Sequence, residues 1–328
     1  MISVKPTRRI PWAIVLIFLG LSLGITAMGY RFYLSDKSEI KNKIQQDLSA
    51  IADLKANLIM AWRKERLADA IVIRNSQQVA LQVQGYLNDP TDAGVAQSLL
   101  AYMTVLKDQN GYASVLLLDT AQRLRLATLG DEESGGCDQL YFAATLNSRE
   151  VKFSDLYRRE PQGRIRLDLY IPILLNARGG WTVIGIMVLR IDPYRFLYPI
   201  VQSWPTPSRS AESLIVRQDG ERVLFLSELR HRKNSALSFS LPINTPELPE
   251  AVVVHGNAGV MEGVDYRGVP VVAALRTIPG TPWYLVAKVD SSEIFTPIRE
   301  RAWVVAIVTT LLIVIAAIGV GFWWKHEA

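Results

Sequence analysis

Two runs of the chain contain no charged residue: Ile10 to Tyr30 (IPWAIVLIFLGLSLGITAMGY) and Ala302 to Trp324 (AWVVAIVTTLLIVIAAIGVGFWW). Each is long enough to cross a hydrocarbon core about 30 Å thick as a helix, which takes roughly 20 residues. Rings at their ends (Trp12, Tyr30, Trp303, Trp323, Trp324) suit the water–lipid interface. A cleaved signal peptide is the alternative for the first run, with Ala27-Met28-Gly29 as a small-x-small site. Signal h-regions, however, run only about 7 to 15 residues, so a retained anchor is expected. After the first run, from Ser38 to Leu87, the residues Ile44, Leu48, Ile51, Leu58 and Trp62 recur at helical spacing with charges between them. This predicts a stalk helix, and some 50 residues at 1.5 Å each span about 75 Å. Farther on, short apolar runs alternate with turn residues, the pattern of strands.

Those strands repeat. "SVLLLDTAQRLRLAT" from Ser114 resembles "SLIVRQDGERVLFLS" from Ser213: a strand, an Asp-led turn (Asp119-Thr120, Asp219-Gly220), then a second strand. Asp-Gly between apolar runs is a strong hairpin signal. "YIPILLNARGGWTVIGIMVLRIDP" from Tyr170 matches "DYRGVPVVAALRTIPGTPWYLVAKVD" from Asp265 in its proline, its Gly-containing turn, its Trp and its closing Asp. Asp119 and Asp219 lie 100 positions apart, Pro172 and Pro270 lie 98 apart, and so do Asp192 and Asp290. Several matches at nearly one offset predict two tandem copies of one α+β unit. Pro172 and Pro270 inside apparent strands predict edge strands or strand starts. "DPYRFLYPIVQSW" from Asp192 predicts a linking helix, with Asp192 as N-cap and Pro193 at the first helical position.

Charge sets the orientation. Lys5, Arg8 and Arg9 precede the first run without an acidic residue, against Arg31 directly after it, so the N-terminus is expected in the cytoplasm. A second span returns the C-terminus to the same side and leaves residues 31–301 outside, which at the inner membrane of a double-membrane bacterium means the periplasm. The single cysteine, Cys137, forms no intrachain disulfide there and is expected as a packed thiol. The net charge of +5 is modest and spread along the chain, with no aromatic-interleaved basic patch, so nucleic acid is not an expected partner.

Catalytic patterns are missing from the sequence. Its three histidines, His231, His255 and His326, fit no metal spacing, and there is neither a Gly-x-Ser-x-Gly elbow nor a P-loop. No enzymatic activity, metal or cofactor is expected. "GDEESGG" (130–136) reads as an acidic, Gly-rich loop.

The order of span, long helix, two sheet units and second span resembles the double-Cache sensor domain of bacterial transmembrane receptors, two PAS-like modules in tandem, over about residues 35 to 300. "EGVDYRGVPVVAALRTIPGTPWYLVAKVD" (from Glu262) is similar to membrane-proximal modules ahead of histidine kinases and diguanylate cyclases. The resemblance implies an α+β fold with a long N-terminal helix, two antiparallel sheets and two flanking transmembrane helices. The implied layout is a cytoplasmic N-terminus over 1–9, a span over 10–30, a stalk helix over 31–87, a membrane-distal module over 88–192, a linker helix over 193–207, a membrane-proximal module over 208–292, a span over 302–324 and a stub over 325–328. It also implies a small-molecule ligand in the distal module, a homodimer, and a helix shift passed through the second span to a cytoplasmic output domain, as in two-component signalling.

The ligand face is sought in "GRIRLDLYIPI" (Gly163 to Ile173), where Ile165, Leu167, Leu169 and Ile171 alternate with Arg164, Arg166, Asp168 and Tyr170. A solvated outer face is the competing reading. Tyr141, Tyr157 and Arg158 lie in the region where the family's pocket loops occur. Amino-acid-binding members carry an Arg-x-Trp-Tyr-like cluster that is missing here, and Arg190 stands where they place an Asp for the ligand's amino group. Amino acids and amines are therefore not expected. Arginines at 164, 166 and 190 suit a carboxylate or phosphate, which a guanidinium binds as a bidentate fork. Two other readings remain: a sensor of a partner protein without a small ligand, and a two-span envelope protein such as a regulator of polysaccharide chain length.

Overall fold

The computed structural model describes residues 12–128, 137–159, 163–177 and 180–326. The charge flank of the first run (residues 1–9), its first two residues, the 130–136 loop and the last two residues of the predicted stub lie outside these.

Helix α1 (Trp12–Asn75) is 64 residues long. The expected stalk helix does not run on to residue 87. It ends at Ser76, whose backbone is extended and whose hydroxyl accepts from the Val79 amide, so a new helix, α2 (Gln77–Asn88), begins there. A serine side chain that satisfies an orphan helical N–H favours a start over a continuation. Helix α3 (Ala93–Asn110) is capped by Asp92 and ends on Gly111 at φ 70°, a conformation that suits glycine.

The first sheet follows: β1 (Ser114–Asp119), β2 (Leu124–Ala127), helix α4 (Gln139–Ser148), β3 (Lys152–Phe153), β4 (Tyr157–Arg159), β5 (Arg164–Ala177) and β6 (Gly180–Ile191). Its strand order is β2-β1-β6-β5-β3, with β4 paired to β5 off this path. Helix α5 (Leu197–Gln202) leads into the second sheet: β7 (Glu212–Asp219), β8 (Arg222–Phe225), β9 (Ser240–Pro242), α6 (Pro249–Val254), β10 (Gly259–Val264), β11 (Pro270–Thr277) and β12 (Tyr284–Asp290). Its order is β10-β11-β12-β7-β8-β9.

Traced from the hairpin side, β8-β7-β12-β11-β10 repeats β2-β1-β6-β5-β3, so the sequence repeat is a repeat of topology. The registers agree as well: Ser114 lies opposite Arg190 in the first sheet, and Glu212 opposite Lys288 in the second. Pro270 begins β11. Pro172 sits inside β5, beyond the point where β3 stops pairing at Tyr170, so among the described residues the missing N–H costs no ladder bond on that side. The linking helix is shorter than expected. Asp192 and Pro193 form a turn in which the Asp192 carboxylate accepts from the Tyr194 amide, and regular helix starts only at Leu197.

Helix α1 is the spine of both units. Leu48, Ala52, Ile59, Trp62, Ala70 and Ile73 share one core with Val115, Leu117, Leu167, Leu169, Ile171 and Leu189 of the first sheet and with Ile215, Val272, Ala274, Leu285 and Ala287 of the second. Each Leu, Ile or Val among them stabilises by about 1.5–3 kcal/mol when fully buried. Helix α7 (Ser291–His326) starts immediately after β12. The Glu293 carboxylate in its first turn accepts from the Ser208 hydroxyl (2.8 Å), the Arg209 amide (3.1 Å) and both the amide and hydroxyl of Ser210, tying the helix to the entry of the second sheet.

Among the described residues one helical window is long and apolar enough to cross a membrane by length and composition: Ala302–Gly319, with mean hydropathy 2.6 and none of it buried. The N-terminal part of α1 lies beside it, with Gly29 within ordinary contact distance of Val305 and Thr309 for an added Cβ. Its Leu16, Leu19, Leu23 and Met28 are exposed.

Candidate functional site

On β5 the predicted alternation holds, but both faces are buried. Leu167, Leu169 and Ile171 meet α1, while Tyr170 packs with Leu116, Leu118, Phe142, Ile186 and Val188 on the other face. Arg166 is 3% exposed, and Asp168 and Tyr170 are 0% exposed, which rules out a solvated face at these three positions. Arg164, at the strand's start, is exposed.

The centre of this face is an ion pair. Arg190 on β6 lies directly opposite Asp168 on β5, with Nε 3.2 Å from Oδ1 and Nη2 3.5 Å from Oδ2. The Tyr157 hydroxyl donates to Asp168 Oδ2 at 2.7 Å. The backbone of Asp168 is clamped to Ser154: its N–H donates to the Ser154 hydroxyl (2.8 Å), and the Ser154 N–H donates to its carbonyl (2.8 Å). Burial disfavours the charge of Arg190, but the Asp168 carboxylate outweighs it and holds the guanidinium above its ordinary range. Burial, reinforced by the negative Asp168, pushes the Tyr157 and Tyr170 hydroxyls up, so both are neutral hydrogen-bonding groups.

Helix α4 forms the other wall. Tyr141 stacks on Tyr170 with ring centroids 6.1 Å apart and an interplanar angle of 19°. The Tyr170 hydroxyl accepts from the Asp138 amide (2.9 Å), and the Tyr141 hydroxyl accepts from the Asp155 amide (3.1 Å). Asp138 also caps α4. Six of the eight expected residues, Tyr141, Tyr157, Arg166, Asp168, Tyr170 and Arg190, therefore belong to one buried face and its walls.

The other two stand apart. Arg164 is exposed at the strand's start, and Arg158 donates to the carbonyls of Gly163 and of Ala236 in the second unit, which makes it a bridge between units. A further correction concerns Arg190. Its charge is balanced by Asp168 across the strand, so it neither repels an ammonium alone nor offers an uncommitted fork to an anion. Cross-strand partners of this kind carry no local signal in the sequence.

Two residues escaped the sequence reading. Ser154 holds Asp168 in place, and the neighbouring Asp155 reaches the second unit, where its carboxylate accepts from Trp283 Nε1 at 2.7 Å and pairs with Arg217. Only the turn-forming "SD" before Tyr157 hinted at them. Among the described residues no group of three or more His, Cys, Asp or Glu side chains is placed to hold a metal ion.

The ligand-binding domain of the Pseudomonas aeruginosa PAO1 amino acid chemoreceptor PctB, in complex with L-Arg, is similar in fold, with TM-score 0.52 at 15% identity over 77% of this chain and 98% of that one. The ligand-binding domain of the Pseudomonas fluorescens chemoreceptor CtaA with L-serine gives 0.50 at 15% identity over 77% and 99%. That of the P. aeruginosa PAO1 chemoreceptor PctC with GABA gives 0.50 at 17% identity over 75% and 100%. No curated protein sequence matches the chain. The profile described as "Cache domain" matches residues 36–298, the stretch that holds α1 past its N-terminal part, both sheets and the start of α7. The chain belongs to the Cache domain family, with two such units in tandem.

Proposed function

We propose that this chain is the extracytoplasmic sensory input module of a bacterial transmembrane receptor, and that a small carboxylate-bearing ligand binds the buried face of its first sheet. The observation that supports this reading is the Arg166–Asp168–Tyr170 face with Arg190 and Tyr157. Taking a charge out of water costs several kcal/mol per ion, and an apolar pair of similar volume is often at least as stable. A buried arginine–aspartate pair beside a second buried arginine is thus better explained by recognition than by stability. The ligands in the similar domains (L-Arg, L-serine and GABA) all carry a carboxylate. In this reading Arg166 takes that group, Tyr141 and Tyr170 supply an aromatic wall, and the Asp168–Arg190 pair fixes orientation.

Two spans anchor the module, the first in α1 and the second in α7, with both ends of the chain in the cytoplasm. Because α7 continues β12 without a loop, a displacement of the second sheet reaches the membrane segment directly, and from there a cytoplasmic output domain. A ligand shifts such an equilibrium only by its difference in affinity between two states, typically 1–3 kcal/mol. Dimerisation places a second copy along α1, whose Ile51, Leu54, Leu58, Ala61, Ala68 and Val72 recur at heptad spacing, with Leu54 54% and Val72 71% exposed.

The test is a thermal-shift screen of the full chain in detergent against carboxylates, phosphates, amines and amino acids. Ligand at 100 times its dissociation constant adds about 2.7 kcal/mol. Stabilisation by carboxylates, with or without an amino group, that is lost in Arg166→Ala supports the reading. Stabilisation by amines or phosphates alone refutes the assignment of the carboxylate, and no response in any arm favours a protein partner.

A further inference from the structure

The second sheet repeats the first down to one position. Lys288 on β12 lies opposite Glu212 on β7 as Arg190 on β6 lies opposite Ser114 on β1, 98 residues earlier in both strands. The surroundings of Lys288 are unlike those of an ordinary ion pair. Its ammonium is 3.1 Å from Glu250 Oε1, 3.2 Å from Asp265 Oδ2 and 3.5 Å from Glu212 Oε2, and it sits 4.1 Å from the centroid of the Tyr266 ring. The lysine is 1% exposed, and Glu250, Asp265 and Glu212 are 0%, 4% and 5% exposed.

Three carboxylates around one ammonium, backed by an aromatic face, form a recognition set for a primary ammonium ion. The other contacts of the set hold it in shape. The Tyr266 hydroxyl and the Arg230 amide donate to Glu212, and Arg267 pairs with Asp265 and Asp290. One acceptor is left over, since the buried Glu250 Oε2 has no hydrogen-bond partner among the described residues. A cluster evolved only to neutralise Lys288 needs one carboxylate. This one has three, from β7, from α6 and from the turn after β10, and although Asp265 is shared with Arg267, all three converge on the ammonium position.

We propose that the second sheet contains a primary-ammonium site and that the Lys288 side chain fills it as a tethered occupant. The module holds its own ligand, and shortening Lys288 opens the cradle to free alkylammonium ions. The inference rests on this cluster alone and is independent of what the first sheet binds.

Lys288→Ala removes the equivalent of n-propylammonium, which is therefore the probe. In the full chain, n-propylammonium chloride is expected to raise the Tm of Lys288→Ala and to leave the unchanged chain where it is. Tetramethylammonium chloride at equal ionic strength has no N–H to donate and is expected to do neither. Lys288→Met keeps the stem without the charge, so it is expected to be destabilised and not rescued. Glu250→Gln in the Lys288→Ala background is expected to weaken the rescue. Should Lys288→Ala accumulate unfolded, the same arms are read as recovery of folded protein on refolding with and without n-propylammonium. Equal effects of the two cations, rescue of Lys288→Met, or no effect of n-propylammonium in either readout overturns the proposal.

Discussion

The indole N–H of Trp283, immediately before β12 of the second sheet, donates to the carboxylate of Asp155 in the first unit at 2.7 Å. The same carboxylate pairs with Arg217, and the Asp155 amide donates to the Tyr141 hydroxyl on the wall of the candidate site. Its neighbour Ser154 clamps the backbone of Asp168. Arg63 of α1 completes the joint, lying over Phe153 and Trp283 and donating to the Gly280 carbonyl. A single two-residue segment between β3 and β4 thus touches both the proposed ligand face and the second sheet. Asp155→Ala strands the buried indole N–H, a loss of about 1–3 kcal/mol, and takes the acceptor from the half-buried Arg217. Urea denaturation is expected to show that loss. A ligand-induced change in hydrogen exchange at β12 is expected to vanish while binding persists, whereas an unchanged β12 response in Asp155→Ala would remove Asp155 from the route.

The Asp168–Arg190 pair predicts an asymmetry between single and double variants. Removing one partner strands the other charge in a buried site, at a cost of about 3–5 kcal/mol. Replacing both, as Asp168→Leu with Arg190→Met, removes the desolvation cost together with the attraction and is expected to return most of that stability. Chemical denaturation of the four members of the cycle measures it. If the pair serves recognition, the double variant folds yet no longer responds to ligand. A double variant as unstable as the singles would show that the surroundings require the charges.

Periodicity carried the sequence reading a long way. Alternation on β5, the two apolar runs and the repeat offset are all patterns along the chain itself, and the structure returns them as a buried strand, long helices and two sheets of one topology. Events decided across space were not legible. The pairing of Arg190 with Asp168 depends on the register of two successive strands, and it cancels the electrostatic argument drawn from Arg190 alone. The break at Ser76 depends on one hydroxyl reaching Val79, which the apolar pattern continuing through Val79 and Val83 conceals. The three acids around Lys288 come from segments up to 76 residues away from it, so no motif could announce them.

Lys55 on α1 provides a pH signature. Only 3% exposed, it donates to the carbonyls of Ile200 (2.7 Å), Val201 (2.9 Å) and Ser203 at the end of α5, a cation where the helix dipole is negative. Burial lowers its pKa from 10.5 to about 8. A lowered lysine pKa means that the folded state resists the charge, so between about pH 8 and 10.5 the unfolded chain binds more protons and this group's contribution rises with pH, by up to about 1.4 kcal/mol per pH unit. Stability of the unchanged chain relative to Lys55→Met is therefore expected to climb across that window and to be flat below it. A difference that falls with rising pH would contradict the assignment.

Glu293 predicts the opposite pH sense at the base of α7. Burial alone would raise its pKa, but the Ser210 and Ser208 hydroxyls and the Arg209 and Ser210 amides outweigh burial and hold it below the ordinary 4.5. A depressed carboxylate pKa contributes stability that is present above the unfolded value and is lost as pH falls through the folded one. The contact between α7 and the entry of the second sheet is thus intact at neutral pH and is expected to weaken below about pH 4.5. Hydrogen exchange at the Arg209 and Ser210 amides reports it directly, because both donate to this carboxylate. In Glu293→Gln one oxygen becomes a donor, so these amides are expected to exchange faster at pH 7 and to lose most of their acid dependence. Were the variant to keep the slow, pH-dependent exchange of the unchanged chain, the anchor of α7 would have to lie elsewhere, and the direct path from β12 into α7 would need another hinge.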